Sequence, residues 1–494
     1  MASITATAAE FRRRRSSPGR DLSRAALVIG MALLAEAVIG VGVASSHTKY
    51  AIGLVAAPAA CWLIWSFPLA GCAVYMFLAA GIVDSGQYLF YVGGHSMYGH
   101  EVVLAVLLLR AILRPRRKTW GGPAGGALAA FLAILVLSTA LAVQAHTTSL
   151  NNAINWGRVF FVMTYFWVVV RLAPDRRRLG ILLATGIALG ALSGIVGLAV
   201  ALSGDANSIF QASGNMVNAP GTSFLRVRMP GLGLAFMLLW VLVVWLIRNR
   251  RPRRLWMICL PWILIVILIS QNRNMWVVDA VSLVLVILIA GPRVRGRLII
   301  SLVAMVAAIA VLIAVPPGGS TAPSPLTPMA TRAATILNPT AVAASSSATD
   351  RDYEDHEGWA TAKRNLAIGI GPGVSYGATI GTGSGSNVGV TARLFLQNQY
   401  LYLLVITGIP GVAAWILFLL ATIRNAFIVG VPIESKMLGI GVFGLSLTAI
   451  VMLSFTDPGF LTALSLCAGA IYALRPAADQ LPHVGLAQAA ASRA

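Results

Sequence analysis

The chain has 494 residues, 58% of them hydrophobic and 11% charged, with a mean hydropathy of +0.81, more apolar side chain than a soluble domain of this length can bury. A net charge of +21 would point to nucleic acid in a soluble protein. Here the basic clusters alternate with apolar runs, so the charge reads as membrane topology, excludes nucleic acid as a partner and implies contact with membrane lipids.

In chain order, residues 1–23 are a basic tail carrying "RRRR" at 12–15. The apolar run that follows lacks a small-residue cleavage site, so it is expected to stay as a first helix near 24–45. Further runs lie near 50–66, 68–83, 100–113, 125–143, 155–172, 178–202, 229–247, 255–270, 275–291, 297–315, 396–423, 437–455 and 459–474. At roughly 20 residues per crossing these predict an all-α, polytopic transmembrane helical bundle of about 14 spans, or about 12 if the short runs between 50 and 113 are partly re-entrant. The clusters "RPRRK" (114–118), "RRR" (176–178), "RNRRPRR" (248–254) and "RVRGR" (293–297) fall on the side of the N-terminal tail. The positive-inside rule makes that side cytoplasmic, with both termini there and residues 476–494 as a cytoplasmic tail. The expected frame is thus a cell-membrane domain over 24–475 with an extracytoplasmic loop, 316–395, inserted in it.

That loop opens as a Pro/Ser/Thr-rich linker, "PPGGSTAPSPLTP". Its middle, "TDRDYEDHEGWATAKRNLAIG", predicts a short helix on the membrane surface, capped by Thr349 or Asp350, acidic in its first turn and basic at Lys363 and Arg364. Tyr353, Trp359, Ala360 and Leu366 give it a broken apolar stripe. The glycine-rich run that follows has neither GxxxxGK[ST] nor a strand and helix around GxGxxG, so it reads as a flexible connector that lets chain or substrate approach closely.

About 27 of the 37 Lys and Arg are explained as inside charge; the candidates for chemistry are the outer ones. Arg226 and Arg228 stand above the span at 229–247, Arg273 lies in the tight turn "SQNRNMW", and Arg158 sits just inside the span at 155–172. Arg332, Arg351, Arg364 and Arg393 also lie outside. Arginine there opposes the inside rule and is costly against lipid, whereas its fork fits phosphate oxygens in a bidentate way. Snorkelling to the headgroups or pairing with a carboxylate is the favoured reading of Arg158, and Asp279 is available to Arg273 as a counter-ion. Glu36 and Glu101 are expected to make helix-to-helix hydrogen bonds.

An arginine leading into "PGLGLAF", the "SQNRNMW" turn, a long loop with "EGWATAKRNLAIGIGPG" and then "QNQYLYLLVITGIPG" together resemble the O-antigen ligase superfamily, over about residues 125–475. The resemblance implies a metal-independent, inverting, GT-C-like membrane glycosyltransferase without cofactor. Its donor would be a glycan on polyprenyl pyrophosphate, and its acceptor a hydroxyl of a glycan, lipid or protein on the extracytoplasmic face; ligase and polymerase differ only in acceptor. Carried over by position, Arg228 or Arg226 and Arg273 would hold the pyrophosphate, with Arg158, Arg364, Arg393 and Asn398 as further substrate contacts. Where the family shows His-Asn before an aromatic-rich helix, this chain has Gln397-Asn398. Glutamine orients a hydroxyl but takes no proton near neutral pH. Three readings stay open: His356, flanked by Asp352, Glu354, Asp355 and Glu357, supplies the base; Gln397 and Asn398 only position the acceptor; or the chain is a non-catalytic glycolipid-binding or polysaccharide transport protein.

Overall fold

In hydrocarbon an apolar run satisfies its own backbone N–H and C=O groups only by coiling into a helix, and the computed structural model shows helices where the apolar runs lie. It describes residues 58–81, 89–92, 95–114, 120–203, 217–218, 225–226, 229, 231–248, 254–270, 272–292, 295–299, 346–376, 394, 396–452 and 455–475. The basic tail, the first apolar run, the Pro/Ser/Thr linker, most of 203–228 and the C-terminal tail lie outside these residues, as do Arg228, Arg332 and Arg393.

Met1–Phe67 and Pro68–Ala494 form separate units. In the first, residues 58–66 are a helix, α1. The second runs α2 (Pro68–Ala79), an antiparallel hairpin of β1 (Leu89–Val92) and β2 (His95–Tyr98), α3 (Gly99–Leu113), α4 (Gly122–Gln144), α5 (Leu150–Gly157), a 3-10 turn at Arg158–Thr164 and α6 (Tyr165–Leu172). It continues with α7 (Arg176–Ser203), the short strands β3 (Val217–Asn218) and β4 (Leu225–Arg226), α8 (Leu232–Arg248), α9 (Arg254–Ile269), α10 (Arg273–Ile289), α11 (Ser346–Arg364), α12 (Gln399–Ala426), α13 (Ile433–Thr448) and α14 (Pro458–Leu474). Among the described residues, Gly122–Gln144, Leu150–Leu172, Arg176–Ala201 and Gln399–Ala426 are each long and apolar enough to cross a membrane, and α2, α8, α9 and α14 are shorter apolar helices. The protein is therefore all-α and polytopic, and among the described residues strands are confined to two small antiparallel pairs. The β1–β2 hairpin, in register Leu89↔Tyr98, is an element that hydropathy did not announce.

The helices pack chiefly as α4 on α12, α7 on α9, α8 on α13 and α6 on α14. Lipid supplies no hydrophobic drive between helices, so close backbone approach and dense packing must hold them. At the α7–α9 contact a Cβ on Gly194 would stand 2.0 Å from the Trp262 carbonyl oxygen, a separation only glycine permits. Between α4, α12 and the segment before α14, the rings of Phe131 and Trp415 lie 4.9 Å apart and those of Trp415 and Phe455 4.8 Å. All three are fully buried.

The loop helix exists, but it begins at Ser346, three residues before the expected Thr349 cap. It also rests on protein: Gly358 lies against Leu396 and Leu401, and Ala362 is fully buried. Trp359, assigned to the apolar stripe, is 48% exposed, because the packed face of α11 is its small-residue face.

Residues 365–376 then run back across α12, where that helix is broken. Pro410 has no N–H and Gly408 takes φ 67°, ψ −170°, so the carbonyls of Val405 and Ile406 lose their helical donors. Ile370 N–H donates to Val405 O at 2.8 Å and Gly371 N–H to Ile406 O at 3.1 Å, while Ile409 N–H donates to Leu366 O at 2.8 Å. The break is fully satisfied, as irregular backbone at membrane depth must be. The first part of the glycine-rich run is thus a fitted strap on α12, where a flexible connector was expected; its remainder, 377–393, lies outside the described residues.

Candidate active site at the head of helix α12

Two amides open α12, and each is oriented by a partner. Asn398 is the N-cap: its Oδ1 accepts from Leu401 N–H at 3.2 Å, a usual way to satisfy a first-turn donor. That leaves its Nδ2 to donate to the Asp355 carboxylate. Gln397 faces α11, where Arg351 Nε donates to Gln397 Oε1 at 2.6 Å and Glu354 Oε2 accepts from the Gln397 backbone N–H at 3.4 Å. Because arginine Nε only donates, the amide oxygen must face it and the NH2 must face away. Below them, Gln399 N–H bonds Ala449 O at 2.9 Å and Tyr400 Oη bonds Ser446 O at 3.0 Å, fixing the head of α12 to the end of α13.

Arg273 is the first residue of α10, presented by the tight turn after α9. Ser270 Oγ donates to Ile267 O at 2.7 Å, Asn272 N–H to Ser270 Oγ at 3.4 Å, and Trp276 Nε1 returns to Ile267 O at 3.2 Å. Arg351 is half-buried near Arg273. Burial first, and then the positive charge of Arg273, lower its affinity for its proton, with Glu354 and Asp355 acting the other way. The arginine bonded to Gln397 thus has a second arginine, Arg273, as a charged neighbour. Asp279, the expected counter-ion of Arg273, makes no ion pair with it: it stands six residues along α10, about 9 Å down the axis, and its Oδ1 is buried without a hydrogen-bond partner.

A cleft of about 620 Å³ opens between α11 and α12, with Asp352, Asp355, His356, Trp359, Asn398 and Tyr400 at its polar part and Leu401, Leu404 and Val412 along α12. His356 is exposed there. Burial raises the proton affinity of Asp355, the Asn398 hydrogen bond lowers it, Asp352 raises it and Arg351 lowers it; the net shift is upward.

The structure therefore brings Arg273, Arg351, Gln397, Asn398, Asp355 and His356 together. It does not bring Arg158, whose Nε lies 3.5 Å from Glu101 Oε1 and whose guanidinium covers the Tyr98 ring at 4.3 Å, in a separate cleft of about 460 Å³. The Glu101 contact across elements is an ion pair. Arg364 is exposed in the last turn of α11, 13 residues and about 20 Å from Arg351. Arg226 pairs through its backbone with Val217 in β3–β4. The sequence reading passed over Arg351 and Asp355 as site residues. Their signal was the four-residue recurrence Arg351, Asp355, Trp359, which shares one helix face.

Residues 258–416 match the family model described as O-antigen ligase. No curated protein matches the chain. The matched stretch holds Arg273, Arg351, Asp355, His356, Gln397 and Asn398 and begins after Arg226 and Arg228.

Proposed function

Given a chain that carries an O-antigen ligase domain over residues 258–416, we propose a membrane glycan ligase or polymerase that moves a glycan from polyprenyl pyrophosphate to an acceptor hydroxyl on the extracytoplasmic face. The observation that carries this reading is the Arg351–Gln397 contact of 2.6 Å beside Arg273. Departure of the glycan leaves negative charge on the pyrophosphate, and fixed positive groups aimed at developing charge are the largest usual contribution to such a step. Arg273 and Arg351 supply two guanidinium forks, Gln397 an outward NH2, and the head of α12 the positive end of its helix dipole. This charge comes from the chain itself, which is the basis for reading the transfer as metal-independent. Arg228 and Arg226 stay in the proposal as further donor contacts from the segment before α8, and Arg393 as one from the segment before α12.

The test is transfer by the full chain in vesicles, with lipid-linked glycans extracted from membranes of the producing cells as donor. Arg273→Lys and Arg351→Lys keep charge and lose the fork, so product formation is expected to fall about 10- to 100-fold at unchanged membrane content. Wild-type rates in both variants would remove this anion site. The replacement of the family histidine by Gln397 favours one second reading, a glycolipid-binding protein. Its signature is a wild type that retains donor without turnover and gains turnover as Gln397→His.

A further inference from the structure

The reading above leaves one atom without a destination: the proton of the attacking hydroxyl. Gln397 cannot take it, because an amide is not basic near neutral pH and its oxygen already accepts from Arg351. We propose, resting on the transfer reading, that Asp355 is the general base, acting on the acceptor in the cleft between α11 and α12, one helical turn from Arg351.

The geometry supports this assignment. Asp355 lines the cleft between α11 and α12 and is held by the Asn398 side chain, which is itself fixed as the cap of α12. His356 lines the same cleft, is exposed, and makes no hydrogen bond among the described residues, so nothing aims it. The lining suits a sugar: Trp359 offers an exposed ring face, and Asp352 and Asn398 offer groups for hydroxyls. Leu401, Leu404 and Val412 continue the cleft along α12 and match an acceptor that carries an apolar part.

In the step, the acceptor oxygen attacks the anomeric carbon, the bond from that carbon to the phosphate oxygen breaks with its electron pair passing to the pyrophosphate, and the hydroxyl proton passes to Asp355, which later releases it to water. The charged and titratable groups facing Asp355 are Arg351, Asp352 and His356 from α11 and Tyr400 and the capping Asn398 from α12. Burial raises the pKa of Asp355, so activity requiring its ionised form is lost as pH falls through that raised value.

The experiment uses the same vesicles and extracted donor. Asp355→Asn is expected to lower transfer about 100-fold with the donor KM unchanged, and to abolish the acid limb of the pH profile. Azide, a nucleophile with no proton to lose, is expected to restore turnover and yield the glycosyl azide. Asp355→Glu is expected to keep part of the activity with a displaced acid limb, and it decides the matter alone if Asp355→Asn does not accumulate. Unaltered transfer in Asp355→Asn, or a loss that azide does not relieve, overturns the assignment while the transfer reading stands. A wild type that consumes no donor overturns both.

Discussion

The contact between Arg351 and Gln397 is a statement about which end of an amide is available. With Oε1 engaged by the guanidinium, residue 397 presents two N–H donors to the site, a suitable face for phosphate oxygens and an unsuitable one for a hydroxyl proton. Gln397→Glu puts this to the test with almost no change of volume. A carboxylate would accept from Arg351 more strongly than the amide does, remove the donors and cancel part of the positive field of the two arginines. The donor KM is expected to rise about 10-fold or more, while Gln397→Ala, which removes the donors without adding charge, is expected to have the smaller effect. Initial rates against donor concentration distinguish the two. Equal KM values in Gln397→Glu and wild type would mean that the amide faces no anion. The sequence made residue 397 conspicuous, because a glutamine stands where the family has histidine. It did not reveal the arginine that orients it, since contact between 351 and 397 depends on how α11 lies on α12, and that is set by Gly358 seating on Leu396 and Leu401, a matter of tertiary packing.

Between α11 and α12 the chain has to hold a polar helix against a membrane helix without loose joints, and the break at Gly408 is how it does so. The strap 365–376 supplies the donors and acceptor that Pro410 and Gly408 leave unmatched. In return it is anchored to α4 and α5, where Gly371 meets Ser138 O and Ala142 and Gly373 meets Asn152 O. The position of Arg351 and Asp355 over the head of α12 therefore depends on a residue ten positions into that helix. Gly408→Ala is strained twice: its φ of 67° with ψ of −170° is a region nearly reserved for glycine, and its Cβ would stand 2.6 Å from Leu366 O. A cost of roughly 1–3 kcal/mol from the backbone alone is expected to release the strap, seen as faster proteolysis within 365–376 and a lower transfer rate with α12 still inserted. Protection equal to that of wild type would mean that the strap is held by other contacts. The apolar runs were legible because hydropathy and length suffice to mark them. The strap was not, since its glycines fit a mobile linker equally well until their neighbours are known.

Across the whole molecule the helix ends sort by charge. Arg171 reaches Ala111 O and Arg114 O, Arg248 pairs with Glu434 at 3.5 Å, and Arg176, Arg177 and Arg248 surround one cleft with Glu434. These are the ends where α3, α6, α8 and α13 meet basic sequence, the side that the positive-inside rule assigns to the cytoplasm. The head of α12, the end of α4 and the start of α5 gather at the strap, and α12 runs from there toward Arg424. Whether one crossing of the membrane separates the arginine-rich ends from the candidate site is decided by a single labelling experiment. Lys363 and Arg177 are both exposed, the first near the end of α11 and the second at the start of α7. In a background with the native cysteines replaced, a membrane-impermeant maleimide added to intact cells is expected to modify Lys363→Cys and to reach Arg177→Cys only after permeabilisation. The opposite pattern would put the head of α12 in the cytoplasm, where the two arginines would lie on the same side as the other basic clusters and the case for an extracytoplasmic glycan transfer would fall.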